Sequence, residues 1–88
     1  MLLPNDIVEL DMRYAKKIES DAAEVIEKAE KHFSKAGLKV TDRSESRICM
    51  ENEEGFVTVQ VRVMTTGELD IITEGFDVRV KQFLTMVR

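Results

Sequence analysis

Along residues 56–64 the side chains alternate. Val57, Val59, Val61 and Val63 fall on one face, and Thr58, Gln60 and Arg62 on the other. Successive strand residues point to opposite faces, so four β-branched side chains on one side describe a strand packed on a core by that side alone. Three further runs share the period. Leu38, Val40 and Asp42 alternate with Lys39, Thr41 and Arg43; Ile48 and Met50 with Arg47, Cys49 and Glu51; Leu69, Ile71 and Thr73 with Asp70, Ile72 and Glu74. Turn-forming clusters at residues 44–46, 52–55 and 65–67 separate the runs.

Opposed residues of an antiparallel pair share a face, so each turn can be tested for parity. A two-residue loop at Glu53 and Glu54 pairs Met50 with Val57 and Ile48 with Val59. A three-residue loop at residues 65–67 pairs Val63 with Leu69 and Val61 with Ile71, and sets Gly67 at the left-handed position such loops require. A three-residue loop at residues 44–46 pairs Val40 with Met50, though it lacks glycine. All three turns give the same inward face, which predicts a four-stranded antiparallel meander.

Before the meander, apolar residues recur at Ile7, Leu10, Tyr14, Ile18, Ala22, Val25, Ala29, Phe33 and Ala36, the helical period. Asp6 and Glu9 have capping-box spacing after Pro4. Glu9/Arg13, Glu24/Lys28 and Glu27/Lys31 are acid-before-base pairs four residues apart, and Gly37 supplies a left-handed stop. Residues 21–36 read as helix. Residues before Ser20 carry two patterns, because Val8, Leu10, Met12 and Tyr14 also alternate with Glu9, Asp11 and Arg13, and Ser20-Asp21 with Glu24 could begin a fresh helix. The apolar stripe keeps its phase across Ser20, so a long N-terminal helix is the expectation. Continuous from residue 6 to 36, it would run about 46 Å, long for a domain with an expected radius of gyration of roughly 12 Å. It must bend at Ser20-Asp21 or overhang onto a second subunit.

After Gly75 helical steps return at Phe76, Val80, Phe83, Leu84 and Val87. Asp77 suits a cap and Arg88 suits the negative end of the helix dipole. Val78 and Val80 lower helical propensity, which leaves a fifth strand as the lesser reading. The expected fold class is α+β in two layers: a long N-terminal helix, a four-stranded antiparallel meander and a C-terminal helix. Both helices cover the valine face and the opposite face stays open.

Length and composition agree with one domain spanning residues 1–88, of which 43% are hydrophobic and 34% charged. The net charge of −4 disfavours a general phosphate-backbone binder. A single cysteine, Cys49, precludes an internal disulfide. The N-terminal residues lack the basic and apolar regions of a signal peptide, and no apolar run reaches the roughly 20 residues of a membrane span. The expected location is cytoplasmic, with no membrane partner.

Candidate chemistry is sparse. The four glycines punctuate element ends, without the spacing of a phosphate-binding loop. One histidine, His32, and one cysteine are too few for a transition-metal site within one chain, and no metal or cofactor is expected. Ser34 faces away from His32 on a helix, and neither Ser44 nor Ser46 has a nucleophile-elbow context. Cys49 falls on the outer face near Arg47, a weak signal for a reactive thiol. The acidic tip at residues 51–54 lacks the ligand order of a calcium loop. No catalytic residues are assigned.

The outer sheet face carries Lys39, Thr41, Arg43, Arg47, Cys49, Glu51, Thr58, Gln60, Arg62, Asp70, Ile72 and Glu74 by alternation. Lys39, Arg43, Arg47 and Arg62 are its candidate partner-binding residues, because a basic corner can hold an acidic partner or a phosphate. Only Phe56 could stack a base. The helix–strands–helix order resembles double-stranded RNA-binding domains in topology alone; it has one strand more, and residues 77–82 lack their lysine cluster. The function expected from these residues is a small non-enzymatic protein–protein interaction module of the accessory-subunit, adaptor or inhibitor type. It is expected to self-associate, as a homodimer or other homo-oligomer. The alternative is nucleic-acid binding through the arginine patch.

Overall fold

The structure, a computed structural model, describes residues 2–3, 7–10, 13–62 and 67–88, with side chains from 13 onward. The expectations placed on Asp6, Val63, Met64, Thr65 and Thr66 lie outside the described residues. Strands β1 (Leu2–Leu3), β2 (Ile7–Leu10) and β3 (Arg13–Lys17) precede helix α1 (Ala22–Ser34). Strands β4 (Lys39–Arg43), β5 (Arg47–Asn52), β6 (Gly55–Arg62) and β7 (Glu68–Glu74) follow, then helix α2 (Asp77–Met86). The fold is α+β. Strands β3 to β7 form the body of an antiparallel sheet that β2 and β1 extend, in the order β1-β2-β3-β7-β6-β5-β4.

The predicted meander is present as β4 to β7, but the long N-terminal helix is not. Residues 13–17 instead pair with β7, Tyr14 opposite Ile71 and Lys16 opposite Leu69. Tyr14, Lys16 and Ile18 are buried on alternate positions. Leu10, Tyr14 and Ile18 step by four, and a step of four satisfies both the helical period and strand alternation. The stripe therefore kept its phase across Ser20 in either conformation. Lys16 hid the alternation further, since a lysine stands where an apolar residue would mark the inward face. The helix that forms begins at Ala22, the fresh start at Ser20-Asp21 considered above, with an extended Asp21 before it whose side chain makes no capping bond. The helix–four strands–helix order compared with double-stranded RNA-binding domains is present as α1, β4 to β7 and α2, with three further strands before it.

α1 buries Val25, Ile26, Ala29 and Phe33 against β5 and β6, and α2 buries Val80, Phe83 and Leu84. They share one cluster with Ile48, Met50, Val57, Val59, Val61, Leu69 and Ile71, so both helices cover the valine face. α1 ends at Gly37, at φ +89°, with Leu38 N donating to Phe33 O at 3.2 Å and Leu38 buried beneath it, the left-handed stop that the sequence predicts.

The turns resolve differently. The loop at Glu53-Glu54 gives the expected register, Met50 opposite Val57 and Ile48 opposite Val59. Asn52 Oδ1 closes it by accepting from Glu54 N at 2.7 Å. Between β6 and β7 the register slides by two, placing Val61 opposite Leu69 and Val59 opposite Ile71. A shift of two preserves the inward face, so parity could not detect it. Gly67 is not left-handed: Ile18 N donates to its carbonyl at 3.0 Å, and a Cβ there would lie 2.5 Å from Ile18 O. Close approach of β3 is the reason for this glycine. At the first turn Val40 does face Met50, but Ser44 N donates to Arg47 O at 2.8 Å and Arg43 faces Ile48. Without a glycine for a three-residue loop, the hairpin closes around two residues, and a β-bulge between Val40 and Asp42 absorbs the extra one.

Candidate functional site

No described helix lies on the other face of the sheet. The ladders define its rows. One runs Asp42, Cys49, Thr58, Ile72 and Arg13; the next runs Arg47, Gln60, Asp70 and Ala15; beyond it Arg62 lies opposite Glu68, which lies opposite Lys17. On the other side of the first row lie Lys39, Glu51, Phe56 and Glu74. Ala15, Cys49, Phe56 and Thr58 are half-buried by their neighbours, and Ile72 is 43% exposed. The middle of this face is therefore weakly polar, with charged side chains around it.

Its most buried charge is Asp70, 7% exposed although it points away from the helices. Arg62 Nε approaches Oδ2 at 2.8 Å and Arg13 reaches Oδ1 at 3.7 Å. Oδ2 has no aligned donor, so the Arg62 contact is an ion pair without hydrogen-bond geometry. Long neighbours folding over a short aspartate account for its burial, and two arginines around one carboxylate leave that corner with less free positive charge than the sequence suggests.

The four candidate partner-binding residues do not converge. Arg47 and Arg62 stand near each other at one end of the outer face, and Lys39 stands at the other end beside Glu51. Arg43 leaves the face, because the bulge reverses its side and it pairs with Glu30 of α1 instead. Sequence alternation missed Arg13, Ala15 and Lys17 as outer-face residues because they were assigned to a helix. The alternation of residues 8–14 was the signal that could have found them.

On the helix side, β3 and the residues after it hold α2 along its length. Tyr14 Oη donates to Asp77 Oδ2 at 2.7 Å, at the start of α2. Lys16 Nζ donates to Leu84 O at 2.6 Å and Val87 O at 2.5 Å, at its end. Glu19 N, Ser20 N and Ser20 Oγ converge on the main-chain oxygen of Arg88, at 2.9, 2.9 and 2.7 Å. Burial lowers the pKa of Lys16 from the ordinary 10.5 by desolvating the ammonium. A cation at a helix C-terminus meets the last carbonyls and the negative end of the dipole, so this lysine does structural work.

His32 lies half-buried between the helices, its Nε2 3.0 Å from Arg79 O, with ring centroids 5.0 Å from Phe33 and 5.8 Å from Phe83. Cys49 is a half-buried free thiol that receives the Thr58 hydroxyl at 3.6 Å. Among the described residues no group of three His, Cys, Asp or Glu side chains is placed to hold a metal ion, and no described helix is long and apolar enough to cross a membrane. Compared with protein-family models, curated proteins and solved structures, the chain matches none of them.

Proposed function

We propose that this chain is a small non-enzymatic protein-interaction module of the accessory-subunit, adaptor or inhibitor type, with the open sheet face as its docking surface. The observation that carries the reading is the layout of that face. Ala15, Cys49, Phe56, Thr58 and Ile72 form a low, weakly polar centre, and Arg13, Lys17, Arg47, Glu51, Arg62, Glu68 and Glu74 surround it. An apolar centre inside a charged rim is the anatomy of protein interfaces. Nucleic-acid binding loses support, because Arg43 is turned away to Glu30 and Arg62 is partnered by Asp70.

The test is capture from lysate by wild type and Ile72→Arg, at low and high salt and with nuclease. Proteins held through nuclease and high salt by wild type alone are the expected result. Bound material that vanishes with nuclease or salt would favour nucleic acid, whose affinity falls with a slope near −0.9 per phosphate contact on duplex DNA. Capture indifferent to Ile72→Arg would remove this face as the docking surface.

A further inference from the structure

We infer that the occupant of the open sheet face is a second copy of this chain, packed face to face about a two-fold axis that runs across the strands. This rests on the reading of the face as a docking surface and names its partner. Three observations carry it.

The first is the charge layout. Asp70 offsets one of the two arginines set against it, Arg62 at 2.8 Å and Arg13 at 3.7 Å, and leaves one positive charge at that corner. With Lys17 and Arg47 it stands toward one end of the strands, with Glu68 among them, while Glu51 and Glu74 stand toward the other, with Lys39 beside Glu51 and Asp42 near by. The face is thus positive at one end and negative at the other. A two-fold axis across the strands reverses their direction, so it lays the basic end of each copy over the acidic end of the other. With the axis near the Cys49–Thr58–Ile72 row, Arg47 meets Glu51 of the second copy and Ile72 lies near the centre. An isologous contact needs this self-complementarity.

The second is area. The Cα positions extend 34 × 29 × 17 Å along their principal axes, and seven strands about 4.8 Å apart cover roughly 29 Å. A face of that span offers on the order of the 800 Å² per partner that a standard interface buries. The third is that the β4 edge is unsuited to pairing. All five of its residues are exposed, but it carries a bulge and the charges of Lys39, Asp42 and Arg43, the features that keep an edge from adding a strand. Association by adding a strand at β4 is therefore disfavoured, while the face stays open.

The test is sedimentation of wild type, Ile72→Arg, Arg47→Glu, Glu51→Lys and the Arg47→Glu/Glu51→Lys double variant, each checked for native circular dichroism. Arg62 stays in place, since its reversal would set two carboxylates together at Asp70. The expected result is a wild-type dimer at roughly 100 µM, a concentration that saturates micromolar association. Ile72→Arg and each single reversal weaken it about tenfold or more, and the double variant, which exchanges the two charges, regains it. A dimer indifferent to Ile72→Arg, or a double variant as weak as the singles, overturns the proposal. A monomeric wild type overturns it as well. If lysate capture by that monomer is still abolished by Ile72→Arg, the docking reading survives without the second copy; if capture ignores Ile72→Arg, both fall.

Discussion

Lys16 is the residue whose role is furthest from its type. Its ammonium satisfies two carbonyls at the end of α2, and Lys16→Met would leave both without a donor in a buried setting. The expected cost is about 1–3 kcal/mol, measured by urea denaturation, the range for stranding buried polar groups; unchanged stability would mean water replaces the amine without loss. The pH dependence has a definite sign. The folded pKa lies below the unfolded 10.5, so approaching 10.5 from below the unfolded chain binds more protons than the folded one. Stability from this group therefore rises with pH through that window. Wild type minus Lys16→Met should isolate this rise, and a difference that falls with pH would contradict the assignment. Gly55 makes a second point at this scale. A Cβ there would lie 1.9 Å from Glu74 O, a backbone atom in the neighbouring strand. Gly55→Ala should cost roughly 1–3 kcal/mol, the range for forced overpacking, and a neutral result would mean β6 and β7 separate easily at this end.

Among the elements, β6 is the centre of the core. Val59 is 1% and Val61 3% exposed, and truncating either to Ala should cost roughly 1–3 kcal/mol. Costs below about half a kcal/mol at both positions would be incompatible with that placement. α1 and α2 meet through Phe33 and Phe83, whose ring centroids are 5.4 Å apart. Phe83→Ala should cost about 3–5 kcal/mol, since it opens a cavity beneath both helices. The Glu24–Lys28 and Glu27–Lys31 pairs expected from spacing form, both at 3.2 Å. They are exposed and together decide little of the stability. β3 decides more: it removes β7 from the sheet edge and anchors both ends of α2, so a substitution there is felt at the other end of the chain.

For the whole molecule, the radius of gyration of 11.8 Å matches the roughly 12 Å expected of a chain this long. The overhanging helix, one motive for expecting self-association, is gone, and the expectation now rests on the open face alone. Charge placement separates two behaviours. Arg43→Glu breaks the contact with Glu30 of α1 and should lower stability by about 0.2–1 kcal/mol, the scale of an exposed pair, without altering binding at the outer face. Arg47→Glu should do the reverse. Thermal melting and binding measured on both variants check the distinction, and equal effects on binding would put Arg43 back on the docking surface.

Four strands, both helices of the final fold and the side of the sheet they cover follow from residue order alone. Alternation and the helical period are local properties, and the valines of β6 carry theirs without interruption. Three things depended on tertiary contacts. Residues 13–17 became a strand because β7 offered them a partner, where their spacing of four fitted helix and strand alike. The register between β6 and β7 lies two residues from the one the turn predicts, and parity is blind to even shifts. The candidate site was half legible. Arg47 and Arg62 stand where alternation put them, but one bulge in β4 turned Arg43 to the opposite face, and Asp70 took up Arg62. Alternation assigns faces only while the ladder is regular, and the fate of a charge belongs to the neighbours that folding brings to it.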